Sequence, residues 1–140
     1  MRFISFIYLL ILSLSCTSTK NATMKSGKLN GTWLPVTEEI GETLLPKAAF
    51  ENQKLIISDS TYTFIAGSID KGVVKYRDDK MDIYGKEGVN TGKHFTAIYK
   101  FENEELTICY NLSGGSYPGA FETKSKPTLF LSVFKKEQVK

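Results

Sequence analysis

Asp59-Ser60, Asp78-Asp79 and Asn103-Glu104 are pairs of turn-forming residues, and each separates two runs rich in β-branched and aromatic side chains. Gly67-Ser68 separates two more. Links this short join antiparallel neighbours, because a parallel pair needs a crossover of about a dozen residues or more. This punctuation constrains the fold more than any other feature of the chain. It predicts strands near Gly31–Glu38, Gln53–Ser58, Thr61–Ala66, Gly72–Arg77, Lys80–Tyr84, Lys93–Glu102, Glu105–Asn111 and Thr128–Lys136.

Alternation is clearest late in the chain. Phe95, Ala97, Tyr99 and Phe101 fall on one face, opposite His94, Thr96, Ile98 and Lys100. Leu106, Ile108 and Tyr110 alternate with Thr107, Cys109 and Asn111, so the two runs form one hairpin with both apolar faces on the same side. The helical candidate is Thr43 to Asn52, two turns at most, with Pro46 tolerated only in its first turn. The expected class is all-β: an antiparallel up-and-down barrel of about eight strands, with one short helix after the first strand. Closure removes exposed edges, which makes a barrel economical; a two-sheet sandwich fits the same pattern.

The N-terminus reads as a targeting segment. Met1-Arg2 is a basic start, and Phe3 to Leu14 is an apolar run of 12 residues. About 20 are needed to span a bilayer, whereas 7–15 suit the core of a secretory signal. Cys16 comes directly after Ser15, and Ser13-Leu14-Ser15-Cys16 is similar to the bacterial lipobox, in which the Cys is acylated and becomes the mature N-terminus. Residues 1–15 are therefore expected to be a lipoprotein signal peptide, Cys16 the lipidation site, 16–28 a flexible polar tether and 29–137 the folded domain. Plain secretion after ordinary cleavage, or an uncleaved anchor, are the other readings of the same segment. The expected location is the bacterial cell envelope, attached to a membrane through the lipid.

Leu29-Asn30-Gly31-Thr32-Trp33 carries the Gly-x-Trp that looks like the opening of lipocalin barrels. Later in the chain stand Ile98-Tyr99-Lys100-Phe101, Leu106-Thr107-Ile108-Cys109, then Pro118, Phe121 and a last apolar strand ending in Lys135-Lys136. Together they resemble an uncharacterised family of bacterial lipocalin-like domains first noted in planctomycetes, across Leu29 to Glu137. The resemblance implies the barrel and little chemistry. Tyr117 stands where that family has Arg. True lipocalins stack an Arg of the last strand on the opening Trp, and here Lys135 or Lys136 has to cover Trp33.

No catalytic constellation can be named. His94 is the one imidazole in the chain and reads as a solvated strand residue; without a second ligand or a nucleophile it makes neither a zinc site nor a triad. Cys109 reads as a small buried thiol. Glu38-Glu39, Asp78-Asp79 and Glu104-Glu105 are adjacent pairs, on opposite faces of strands or in turns, and do not make a glycosidase dyad. Ser113-Gly114-Gly115-Ser116 lacks the Gly-Lys of a phosphate loop and reads as a mobile link. The net charge of +3 comes from dispersed Lys, with Arg2 and Arg77 as the two arginines, which argues against a nucleic-acid partner. No cofactor or metal is expected.

Aromatic strand residues remain. Trp33, Tyr62, Phe64, Tyr99, Phe101 and Tyr110 are the candidate ligand-binding residues, on the reading that they wall a pocket for a small hydrophobic or amphipathic molecule. The competing reading is a filled barrel, whose aromatics are simply core and whose loops serve a structural or protein-interaction role in the envelope. An open apolar cavity separates the two.

Overall fold

The computed structural model describes residues 27–138, so the stretch read as a signal peptide, Cys16 and most of the expected tether lie outside it. Within the described residues nine strands form one antiparallel sheet: β1 (Gly31–Ile40), β2 (Thr43–Leu44), β3 (Lys54–Ser58), β4 (Thr61–Ile65), β5 (Ile69–Arg77), β6 (Lys80–Glu87), β7 (His94–Glu102), β8 (Glu105–Asn111) and β9 (Leu129–Lys136). Strands β3 to β9 succeed one another in space as in sequence, and β1 pairs with both β3 and β9. The eight long strands thus close on themselves, and the sandwich is excluded. Asp59, Asp78, Asn103 and Glu104 all take positive φ, the conformation that short hairpin turns require.

The short helix expected after the first strand is present, shorter than the two turns that Thr43 to Asn52 could give. Thr43 and Leu44 turn back to pair with Ile40 and Glu39, and a single 3-10 turn spans Lys47–Ala49. Pro46 explains the difference: it holds the preceding residue out of the helical region, so a helix can begin only after it.

β1 meets β3 through Gly31–Trp33 and β9 along Trp33–Ile40. A bulge breaks the second pairing between Pro35 and Thr37, leaving Val36 unpaired and exposed. The extra residue resets the alternation, so Trp33 and Glu38 are both buried. One end of the barrel is closed by Leu29, Trp33, Leu106 and Phe134, all nearly inaccessible. The Trp33 indole N–H donates to the Leu29 carbonyl at 2.7 Å, satisfying the polar atom that its burial requires.

The link from 112 to 128 is tied to the barrel by hydrogen bonds at its start and by packing further on. Asn111 Nδ2 donates to the carbonyls of Gly114 and Ser116, and Thr96 Oγ1 donates to the Ser116 carbonyl. Tyr117 and Phe121 then cover Ile98, Cys109 and Leu129 on the outer face of the β7–β8–β9 region. Those strands are therefore buried on both faces, and each Ile or Leu in the outer layer adds roughly 1.5–3 kcal/mol of burial.

Candidate functional site

The hairpin pairing fixes which side chains face inward. Ala97 lies opposite Tyr110, Tyr99 opposite Ile108, and Phe101 opposite Leu106, which puts both apolar faces inside as the alternation requires. Across the barrel, Gly72 pairs with Gly85 at a bulge between β5 and β6. A Cβ on Gly72 would come within 2.6 Å of the Tyr62 ring, so the missing side chain is the space into which Tyr62 packs.

Between these walls lies a cavity of about 410 Å³. Its sides are aliphatic and aromatic, including Leu55, Ile57, Val74, Met81, Ile83 and Ile108. Three tyrosines, Tyr62, Tyr76 and Tyr110, add phenol groups to this lining. Asp70, Asn90, Lys93 and Leu112 belong to its rim, at the end of the barrel away from Trp33. Here Asp70 accepts the Asn90 backbone N–H at 2.9 Å, and Lys93 donates to the Asn90 side-chain oxygen at 3.1 Å.

The six aromatic residues singled out in the sequence divide by depth. Tyr62, Phe64 and Tyr110 line the cavity. Trp33 is fully buried in the closed end and does not. Tyr99 packs edge-on against Tyr76, donates its hydroxyl to the Asp78 carbonyl at 2.9 Å, and borders a separate hollow of about 240 Å³ at the closed end. Phe101 borders the same hollow, lies edge-on to Trp33 and is 44% exposed. The face of each strand was legible, but its level along the barrel axis was not. Tyr76 and Phe95 also line the cavity, outside those six.

Electrostatics inside are acidic and weakly solvated. Burial pushes the Glu38 carboxyl up to about 7, against the opposing hydrogen bond from Ser132 Oγ at 3.4 Å. Burial, then the nearby Glu38, Tyr76 and Tyr62 groups, push Tyr110 upward. Burial and then Asp70 do the same to Tyr62.

His94 is not simply solvated. Its ring stacks on Tyr84 with centroids 4.5 Å apart, and Nε2 lies 3.0 Å from Asp82. Asp82 also accepts the Tyr117 hydroxyl at 2.7 Å. Desolvation raises the Asp82 pKa, but hydrogen bonds from Tyr117 and His94 and the charges of His94 and Arg77 outweigh it and hold it below the usual range. This cluster fastens the 112–128 loop to the barrel wall. The sequence signal for it was the outward face shared by Asp82, Tyr84, His94 and Thr96. Cys109 is buried, and burial pushes its thiol up against the lowering influence of a backbone hydrogen bond.

Among the described residues no group of three His, Cys, Asp or Glu is placed to hold a metal, and no helix is long and apolar enough to cross a membrane. The chain matches no protein-family model, and no curated protein matches it significantly.

Proposed function

We propose that this chain is an envelope lipoprotein, anchored through Cys16, whose lipocalin-like barrel binds a small hydrophobic or amphipathic molecule. The observation that carries the binding reading is the cavity of about 410 Å³, apolar in its walls and open at the end opposite Trp33. Its volume lies in the range of small-molecule sites, which pair apolar walls with a few placed polar groups. A barrel serving only as a packed module would have filled this space with side chains. The N-terminal sequence supports the anchor: an apolar run too short to span, then a Cys and a polar tether.

Native mass spectrometry of the full chain purified from its own host tests the binding reading. A small molecule retained at one copy per chain is the expected result. Val74→Trp, which fills the cavity from β5, should retain none while still giving a cooperative thermal transition. A wild-type chain that carries nothing, and takes up no added lipophile, overturns the reading.

A further inference from the structure

The walls of the cavity are mostly apolar, but one phenol among them, Tyr76, is not accounted for by the described residues. The Tyr76 hydroxyl is buried and has no hydrogen-bond partner among the described residues. Tyr62 and Tyr110 line the same cavity. A buried hydroxyl left unpaired is unfavourable and is ordinarily satisfied in the native complex.

The same region is hostile to a negative charge. Glu38 and Asp70 both lie close enough to act on the tyrosines, Glu38 on Tyr110 and Asp70 on Tyr62. Lys93 is the cation of the lining, and it sits at the exposed rim tied to Asn90. A ligand carboxylate among the tyrosines would thus be buried beside acidic groups without a cation to pair with. A wholly apolar ligand would leave the Tyr76 hydroxyl unpaired.

We infer that the cavity takes a neutral lipophile carrying one hydrogen-bonding oxygen, of the alcohol or ketone class, and that this oxygen is held at the Tyr76 hydroxyl, in the cavity that Tyr62 and Tyr110 also line. This rests on the binding reading above and adds the chemistry of the ligand to it. The oxygen enters first and the hydrocarbon body fills the remainder toward Asn90 and Leu112. Phenol hydroxyls donate and accept, so either an alcohol or a carbonyl satisfies them.

The test uses the full chain in a fluorinated surfactant, whose tails mix poorly with hydrocarbon, at pH 8. Native mass spectrometry measures binding of 1-decanol, decanoate, decylammonium and decane. The alcohol should form a one-to-one complex at least ten-fold more tightly than each of the other three. Tyr76→Phe should bring decanol to within about three-fold of decane, leave decane unchanged, and raise the melting temperature of the ligand-free protein. A purely structural tyrosine would not give opposite signs in affinity and stability. Decanoate or decylammonium binding as tightly as decanol, or a decanol preference that survives Tyr76→Phe, overturns the ligand class while the cavity remains a binding site. Failure of all four to bind overturns the binding reading itself.

Discussion

The Lys136 ammonium lies 5.5 Å from the centroid of the Trp33 ring, over the closed end of the barrel. Gly31 makes room for it: a Cβ there would come within 2.4 Å of Lys136 Cε, and its φ of 137° is one that residues with a side chain avoid. A cation from the last strand thus covers Trp33. Because a Lys stacks less well than a planar guanidinium, the contact adds about 0.5–1 kcal/mol. Lys136→Ala should lower stability by that amount. Trp33→Ala should cost about 3–5 kcal/mol through the cavity it leaves. Chemical denaturation measures both, and the single Trp should emit at short wavelength and resist quenching in the folded chain.

Glu38 gives stability a pH dependence of its own. Its carboxyl titrates near 7 in the folded protein against 4.5 as the ordinary value, so the folded state holds the proton more tightly than the unfolded one. The stability this provides is complete below pH 4.5 and is lost as pH rises through 7. Above that, the buried carboxylate costs about 3 kcal/mol by linkage. Glu38→Gln keeps the acceptor for Ser132 and removes the charge. It should match the wild type at pH 4.5 and exceed it by up to about 3 kcal/mol at pH 8, measured by urea unfolding. Equal stability at both pH values would place the carboxylate in contact with water.

The alternation of β7 and β8 was fully legible, because both strands use unambiguous apolar residues at every second position and a two-residue turn fixes their register. Glu38 was not. Counting by two from Trp33 puts Thr37 inside and Glu38 outside, and only the bulge at Val36 reverses this. The outer layer was also hidden, since Thr96, Ile98 and Cys109 are residue types that suit either face. Their burial comes from a loop whose own sequence, rich in Gly and Ser, looks like a solvent link. For the site, periodicity gave the face of Tyr99, Phe101 and Tyr110 but not their depth. Depth depends on the register around the whole barrel and on Leu29 and Trp33 filling one end.

Gly72 controls the width of the cavity. A methyl group there would meet the Tyr62 ring at 2.6 Å and the Tyr84 carbonyl oxygen at 2.1 Å. The carbonyl belongs to the sheet and cannot move far, so the strand shifts and Tyr62 is driven inward. Gly72→Ala should cost about 1–3 kcal/mol by overpacking and reduce ligand retention beyond what the stability loss explains. Retention in native mass spectra, compared with that of a Lys136→Ala control placed at the other end, separates the two effects.

The anchor proposal predicts a mature chain beginning at Cys16. One acyl chain holds a protein to a bilayer only reversibly, and two or more hold it stably. Intact mass of the native protein should therefore show Cys16 at the N-terminus with the added mass of several acyl chains. Any other N-terminus, or an unmodified Cys16, removes the lipoprotein reading and leaves the barrel as a secreted or otherwise tethered domain.

Asp82 and Tyr117 together decide whether the outer layer stays shut. The Tyr117 hydroxyl reaches Asp82 at 2.7 Å, and the loop it belongs to covers Cys109, which is wholly inaccessible. Loss of one hydrogen bond to a charged group is worth roughly 1.5–3 kcal/mol. Tyr117→Phe removes that bond and keeps the ring against Lys80, so local opening of the loop should become about ten-fold or more frequent. The Asp82 carboxylate has a depressed pKa, so its contribution is present above the ordinary pKa of 3.8 and fades as pH falls below it. At pH 8, labelling of Cys109 by a thiol reagent, read by peptide mapping, should be slow in the wild type. Burial keeps the thiol protonated and out of reach. Labelling should accelerate about ten-fold in Tyr117→Phe, with global stability changing much less. Acceleration that only tracks the loss of global stability would mean that the loop opens with the whole barrel and not on its own.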